Sequence, residues 1–169
     1  MQKIKYKGGR MRKKLLMFVM LISIVTNLNA GDQSQRKADC DEGDAWACFQ
    51  YARNAFGSSD YIKQKYYNRA WKLFPKQCNE GYGEACFSYG DLLRTGNFKN
   101  FGLKKDLPKA AQYFVKGCEF NQKVSCSYAG LSFDLGNGIP KNIEKARKYY
   151  KKSCELGYDK GCKQYNTVK

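Results

Sequence analysis

An all-α solenoid of stacked helix pairs, with one disulfide stapling each junction between repeats, is the architecture this sequence predicts. Three regularities predict it. The eight cysteines fall into four pairs, Cys40/Cys48, Cys78/Cys86, Cys118/Cys126 and Cys154/Cys162, with the partners always eight positions apart. Successive pairs begin 38, 40 and 36 residues apart (40 to 78, 78 to 118, 118 to 154), a period typical of stacked helical repeats. Small and aromatic residues recur between the pairs at helical spacing and in one register.

The chain opens with a basic stretch, Met1 to Lys14, then an apolar run from Leu15 to Leu28 and the small-residue site Asn29-Ala30-Gly31. Residues 1–30 therefore read as a secretory signal peptide cut after Ala30, with Met11 as an alternative initiator. The apolar run is shorter than the ~20 residues needed to span a bilayer as a helix, so no membrane span is expected after cleavage. No cysteine directly follows the cleavage site, where Gly31 stands, which argues against a lipid anchor. Residues 31–39, polar and aperiodic, read as a loose leader. The repeat domain is expected over 40–169, divided into repeats 44–81, 82–121 and 122–157 and a half repeat 158–169.

Seven of the 31 Lys and Arg residues and none of the 15 acids lie in the first thirty positions, so the chain after cleavage carries 24 basic residues against 15 acids, a net +9. The lysines recur with the repeat, at Lys104, Lys105 and Lys109 and again at Lys141, Lys145 and Lys148, as expected of solvated helix faces. No nucleic-acid partner is expected, because such a binder concentrates its charge in a patch. Attraction to an anionic polymer or an acidic protein surface is compatible with the charge.

Two kinds of helix follow from the register. Ala70, Ala110 and Ala146 stand eight residues before the first cysteines of the last three pairs and are followed at plus three and plus four by Leu73-Phe74, Tyr113-Phe114 and Tyr149-Tyr150. That is one face of a helix, and it predicts B helices over Tyr61 to Gln77, Leu107 to Gly117 and Ile143 to Ser153. Four residues after each second cysteine comes Ala52, Gly90 or Gly130, and at plus seven Ala55, Leu93 or Phe133. These are A helices whose small residue permits a close crossing, closed by Gly57, Gly96 and Gly136.

Gly43, Gly81, Asn121 and Gly157 lie three residues after each first cysteine and tolerate the left-handed conformation that ends a helix. An unbroken helix would hold the paired cysteines ~12 Å apart, beyond disulfide reach, whereas a turn brings them together. Each pair is thus expected to join the end of a B helix to the start of the next A helix. Closing a loop of this size stabilises by about 2.5 kcal/mol per bridge, and four bridges by up to ~10 kcal/mol, comparable to the net stability of a domain. Zinc is disfavoured, since its cysteine pairs sit closer together and the chain has no histidine; no metal or cofactor is expected.

The loop Gly136-Asn137-Gly138-Ile139-Pro140-Lys141-Asn142 followed by Glu144-Lys145-Ala146 resembles the Sel1-like, TPR-related repeat. With the eight-residue cysteine staple added, Cys40 to Cys162 resembles the secreted Helicobacter cysteine-rich protein family. That resemblance implies a right-handed α/α solenoid. It also implies penicillin binding with slow β-lactamase activity, and hence a β-lactam or peptidoglycan-derived small molecule as partner. Departures are visible. Gly96 to Ala110 spans four residues more than Gly136 to Ala146, the first repeat lacks the Gly-x-Gly loop, no complete B helix is expected before Cys40, and Pro75 should kink or shorten its helix.

Catalytic residues cannot be assigned from the residues themselves. Without histidine the Ser-His-Asp and Cys-His arrangements are excluded. One Ser-x-x-Lys occurs, Ser34-Gln35-Arg36-Lys37, but it lies in the leader and has no companion Ser-Asp-Asn or Lys-Thr-Gly. Acids around the turns, among them Glu42, Asp44, Glu80 and Glu84, suit the positive ends of helices. A binding role has the better physical basis, because stacked helix pairs present an extended concave surface lined by A helices. The expected contact strip is Arg53, Asn54, Ser88, Asp91, Arg94, Tyr128 and Ser132, suited to a protein or peptide ligand or a cell-wall fragment. Disulfides and signal together place the chain outside the cytoplasm, secreted or periplasmic.

Overall fold

The computed structural model describes residues 32–55 and 57–168. The signal peptide, its cleavage site and Met11 lie outside the described residues. Eight α-helices and no strand occur among the described residues: α1 (32–42), α2 (Ala45–Arg53), α3 (Asp60–Asn79), α4 (Gly83–Thr95), α5 (Leu107–Glu119), α6 (Lys123–Leu135), α7 (Ile143–Glu155) and α8 (Asp159–Thr167). Odd-numbered helices form the B layer and even-numbered ones the A layer. From α2 on, each helix packs chiefly on its sequence neighbours, as a solenoid requires.

The same turn is built four times. In each, the residue three after the first cysteine has positive φ, at Gly43 (106°), Gly81 (99°), Asn121 (59°) and Gly157 (78°). Its N–H donates to the first cysteine's carbonyl at 2.9 to 3.2 Å. The next N–H reaches back five residues, as in Gln122 N to Gly117 O at 3.0 Å. This is the Schellman closure of a helix, and it reverses the chain within four residues.

All four predicted disulfides form across this turn: Cys40–Cys48, Cys78–Cys86, Cys118–Cys126 and Cys154–Cys162, with Cα–Cα distances of 4.5, 4.7, 4.5 and 4.4 Å. The first three are core elements. Cys48 and Cys86, in the first turns of α2 and α4, are each 0% exposed, and so are their partners Cys40 and Cys78. Cys48 and Cys86 lie on the buried side of their A helices, in keeping with the structural role expected of all eight cysteines. Burial confines them to the structural role and keeps reductants from the bond.

The rest of the core lies between the layers. Phe74, Phe114 and Tyr150 of the B helices are almost wholly buried, each at the same register position. The last two are received by glycines on the A helices. A methyl at Gly90 would stand 2.8 Å from Phe114 Cε1, and one at Gly130 only 2.5 Å from Tyr150 Cδ1. Side chains of ordinary size at those two places would push the layers apart.

Two expectations are corrected. Residues 32–39 are helical and belong to α1, where Arg36–Asp32 and Lys37–Asp41 ion pairs and the Gln35–Asp39 hydrogen bond replace an apolar stripe. Only Gln33, Arg36, Asp39 and Cys40 are turned inward, which explains why hydrophobic periodicity did not show this helix. Pro75 does not shorten α3, which runs twenty residues through it. The proline denies the Trp71 carbonyl its partner. Phe74 and the Cys78 staple on either side of it are buried and hold the last turn in place.

The longer loop after α4 also has a structural use. It forms a short 3₁₀ helix, Lys99–Phe101, and its aromatic residues fold back on the first repeat. Phe98 meets Phe49 edge-on at 5.1 Å, Phe101 lies 4.8 Å from Tyr67, and Trp71 Nε1 donates to the Phe101 carbonyl at 2.8 Å.

Candidate functional site: the aromatic groove of the A layer

The N-terminal turns of α2 and α4 stand side by side over the end of α3 and enclose a groove of about 570 Å³. Its floor is Phe74. Its walls are Trp46, Tyr82 and Phe87, with Asp44, Glu84, Gln77 and Ser88 around them. Trp46 stacks on Phe49 at 5.1 Å and meets Phe74 edge-on at 6.3 Å, yet remains 45% exposed, and Tyr82 is 62% exposed. Large aromatic rings held open to water between two helices mark an interaction surface more often than a bare exterior.

Local folding explains why these residues face the groove. Asp44 caps α2 by accepting from Ala47 N at 2.8 Å, which places Trp46 in the first turn. Gln77 at the end of α3 pins the junction, donating to the Gly43 carbonyl at 3.2 Å. Tyr82 is the N-cap residue of α4 and makes no side-chain capping bond, so its ring is not engaged in closing the helix. Glu84 accepts from Gln122 Nε2 at 3.0 Å, tying the groove to the following repeat.

Beyond Phe87 the aromatic surface continues to Tyr128, 5.7 Å away. Tyr128 is flanked by two cations, the Arg94 guanidinium at 5.3 Å and the Lys160 ammonium at 5.8 Å from its centroid. Arg94 is itself held by Asp91 through Nε and an Nη at 3.0 and 2.6 Å. Of the expected strip, Ser88, Asp91, Arg94 and Tyr128 are therefore neighbours along one surface. Arg53 is exposed on α2, its guanidinium 5.9 Å from the Phe49 ring on which Trp46 stacks, and the carbonyl of the half-buried Asn54 accepts from Gln33 of α1. Ser132, expected to face outward, is buried and turns its hydroxyl back on the Tyr128 carbonyl at 2.9 Å. Trp46, Tyr82, Asp44 and Glu84 were missed as wall residues. Only Glu84 carried a signal, the i, i+4 relation that sets it beside Ser88 on the A helix.

Ser88 supplies a hydroxyl to the groove, and no hydrogen bond among the described residues pairs it with a carboxylate or an amine. Ser34 and Lys37 of the leader tetrapeptide are both exposed, and Lys37 is paired with Asp41 at 2.7 Å. That pairing holds the Asp41 carboxyl below its ordinary range, chiefly through the hydrogen bond. Tyr150 is pushed well above its ordinary value by burial and then by the Asp134 carboxylate, to which its hydroxyl donates at 3.3 Å. It lies in the core, away from the groove. Among the described residues no cluster of metal-ligating side chains occurs, and no helix is long and apolar enough to cross a membrane.

Comparison with known proteins agrees with this architecture. Residues 83–119 and 124–158 match the Sel1 repeat. A Sel1 repeat protein of Oxalobacter formigenes is similar in fold, with a TM-score of 0.59 at 20% identity, covering 80% of this chain and 97% of that one. The cysteine-rich protein B of Helicobacter pylori is similar at 28% identity with a TM-score of 0.53, covering 81% and 93%. A cytochrome c oxidase assembly factor 7 homolog of Drosophila melanogaster is 32% identical over 75 residues; that stretch is 43% of this chain but only 28% of the relative's length. The fold of this chain is that of a disulfide-stapled solenoid carrying Sel1 repeats.

Proposed function

We propose that this chain is a non-catalytic peptide-binding module, working in the periplasm or outside the cell, whose A-layer groove receives an apolar or cationic side chain of an extended partner. The observation that carries this reading is the open aromatic groove between α2 and α4, with exposed Trp46 and Tyr82 over Phe74 and the carboxylates of Asp44 and Glu84 beside them. Rings of this kind supply large contact area at low entropic cost, and the carboxylates favour lysine or arginine on the ligand. Four disulfides suit an oxidising compartment. Sel1 repeats commonly mediate protein interactions, and the fly relative's name describes an assembly factor.

The β-lactam hydrolysis implied by resemblance has less support, because among the described residues the Ser88 hydroxyl in the groove is hydrogen-bonded to no base. The experiment is peptide-library selection on the oxidised protein, with affinities of the selected peptides read by calorimetric titration. Enriched peptides should carry basic and apolar residues, and Trp46→Ala should weaken them by about tenfold or more, the scale of an aromatic hot spot. Hydrolysis of a chromogenic cephalosporin above the buffer rate, with no peptide enriched, would replace this reading with the enzymatic one.

A further inference from the structure

The two layers of the solenoid differ in charge. The B helices α3, α5 and α7 carry twelve Lys and Arg residues against four Asp and Glu, whereas the A helices α2, α4, α6 and α8 carry five against four. Helix α1, with four acids and two bases, ends the basic surface at the first repeat. This surface is also grooved. Between α5 and α7 lies a cleft of about 550 Å³ lined by Lys145, Lys148, Lys151 and Lys152, with Tyr149 stacked on Phe133 at 5.4 Å in its wall and Glu119 and Glu155 at its end. One B helix earlier, a cleft of about 210 Å³ repeats the arrangement with Lys109, Lys116 and Tyr113, the residues that correspond to Lys145, Lys152 and Tyr149.

We propose that this outer face docks a linear acidic glycan, with carboxylate or sulfate groups paired to lysines of successive clefts and sugar rings set against Tyr113 and Tyr149. The charge calls for a polyanion. Among the described residues Lys145 and Lys148 make no ion pair, and both are exposed. The two clefts lie on successive B helices, one repeat apart, so one extended chain can reach both. A membrane surface fits less well: among the exposed large hydrophobic residues Trp46, Tyr61, Tyr82, Phe120 and Leu135, only Tyr61 lies within a B helix. Nucleic acid is not the resident polyanion of the oxidising compartments where four disulfides persist.

The test is calorimetric titration of the oxidised protein with a heparin dodecasaccharide, with anionic phosphatidylglycerol vesicles and with a short DNA duplex. Two variants of equal net charge are compared, Lys145→Glu with Lys148→Glu on the B layer and Lys123→Glu with Lys160→Glu on the A layer. The B-layer pair should weaken glycan binding by about tenfold or more and the A-layer pair by less than about threefold. The neutral Lys145→Gln and Lys148→Gln pair should give an intermediate loss, and it decides the matter if the reversal disturbs folding. Equal losses from both layers, tighter binding of vesicles or DNA than of glycan, or no glycan binding at all would overturn the proposal.

Discussion

Gly130 shows how one residue sets the distance between layers. A methyl there would gain about 1 kcal/mol in helix propensity, but at 2.5 Å from the Tyr150 ring it forces a shift costing about 1–3 kcal/mol, and the ring is fully buried with nowhere to go. Gly130→Ala should therefore lower the denaturant midpoint, by a net of up to about 2 kcal/mol. The packed Tyr150 has a second consequence. Burial first, and the Asp134 charge second, raise its phenol above the ordinary value of 10.0, so the native state keeps a proton that the unfolded chain releases. Its contribution is complete below about pH 10 and is lost as pH rises beyond that. Alkaline thermal melts should show this loss, and Tyr150→Phe should reduce it while leaving the neutral-pH slope unchanged.

At the scale of elements, the junction turn is the recurring device, and most of it was legible in the sequence. Cysteine spacing, the residue at plus three and the alanine-aromatic register placed every B helix from α3 on within two residues of its observed ends. What escaped was held by interactions without a periodic signature. Helix α1 is built from ion pairs, and the aromatic fold-back of Phe98 and Phe101 lies in a loop whose extra length was visible but whose contacts were not. The groove escaped for a related reason, since Trp46 and Tyr82 sit in the first turn and at the cap, where turn chemistry hid their part in the surface. The staples also differ in burial, which equal spacing did not foretell: Cys48, Cys86 and Cys126 are sealed with their partners, whereas Cys154 and Cys162 are half-buried. Replacing Cys154 and Cys162 together by alanine should cost about 2.5 kcal/mol, the entropic share. The same double change at Cys118 and Cys126 should cost more, because it adds a cavity. Denaturant unfolding of the two variants separates these cases.

For the whole molecule, the two-layer construction divides the surface into an aromatic side and a basic side. Sequence reasoning named Ser88, which lines the groove, and Tyr128, which adjoins it, but it also took Ser132 as outward-facing, and Ser132 is buried. With Asp91 and Arg94 joined to each other, the free contact area of the A layer is its rings together with the carboxylates of Asp44 and Glu84, each of which gives one oxygen to a hydrogen bond within the fold. That division is the centre of the account. Amide chemical-shift mapping of a selected peptide on the oxidised protein tests it most directly. Perturbations should centre on Trp46, Tyr82 and Ser88 and extend to Tyr128, with α5 and α7 silent. Perturbations confined to the B helices, or none on α2 and α4, would contradict it.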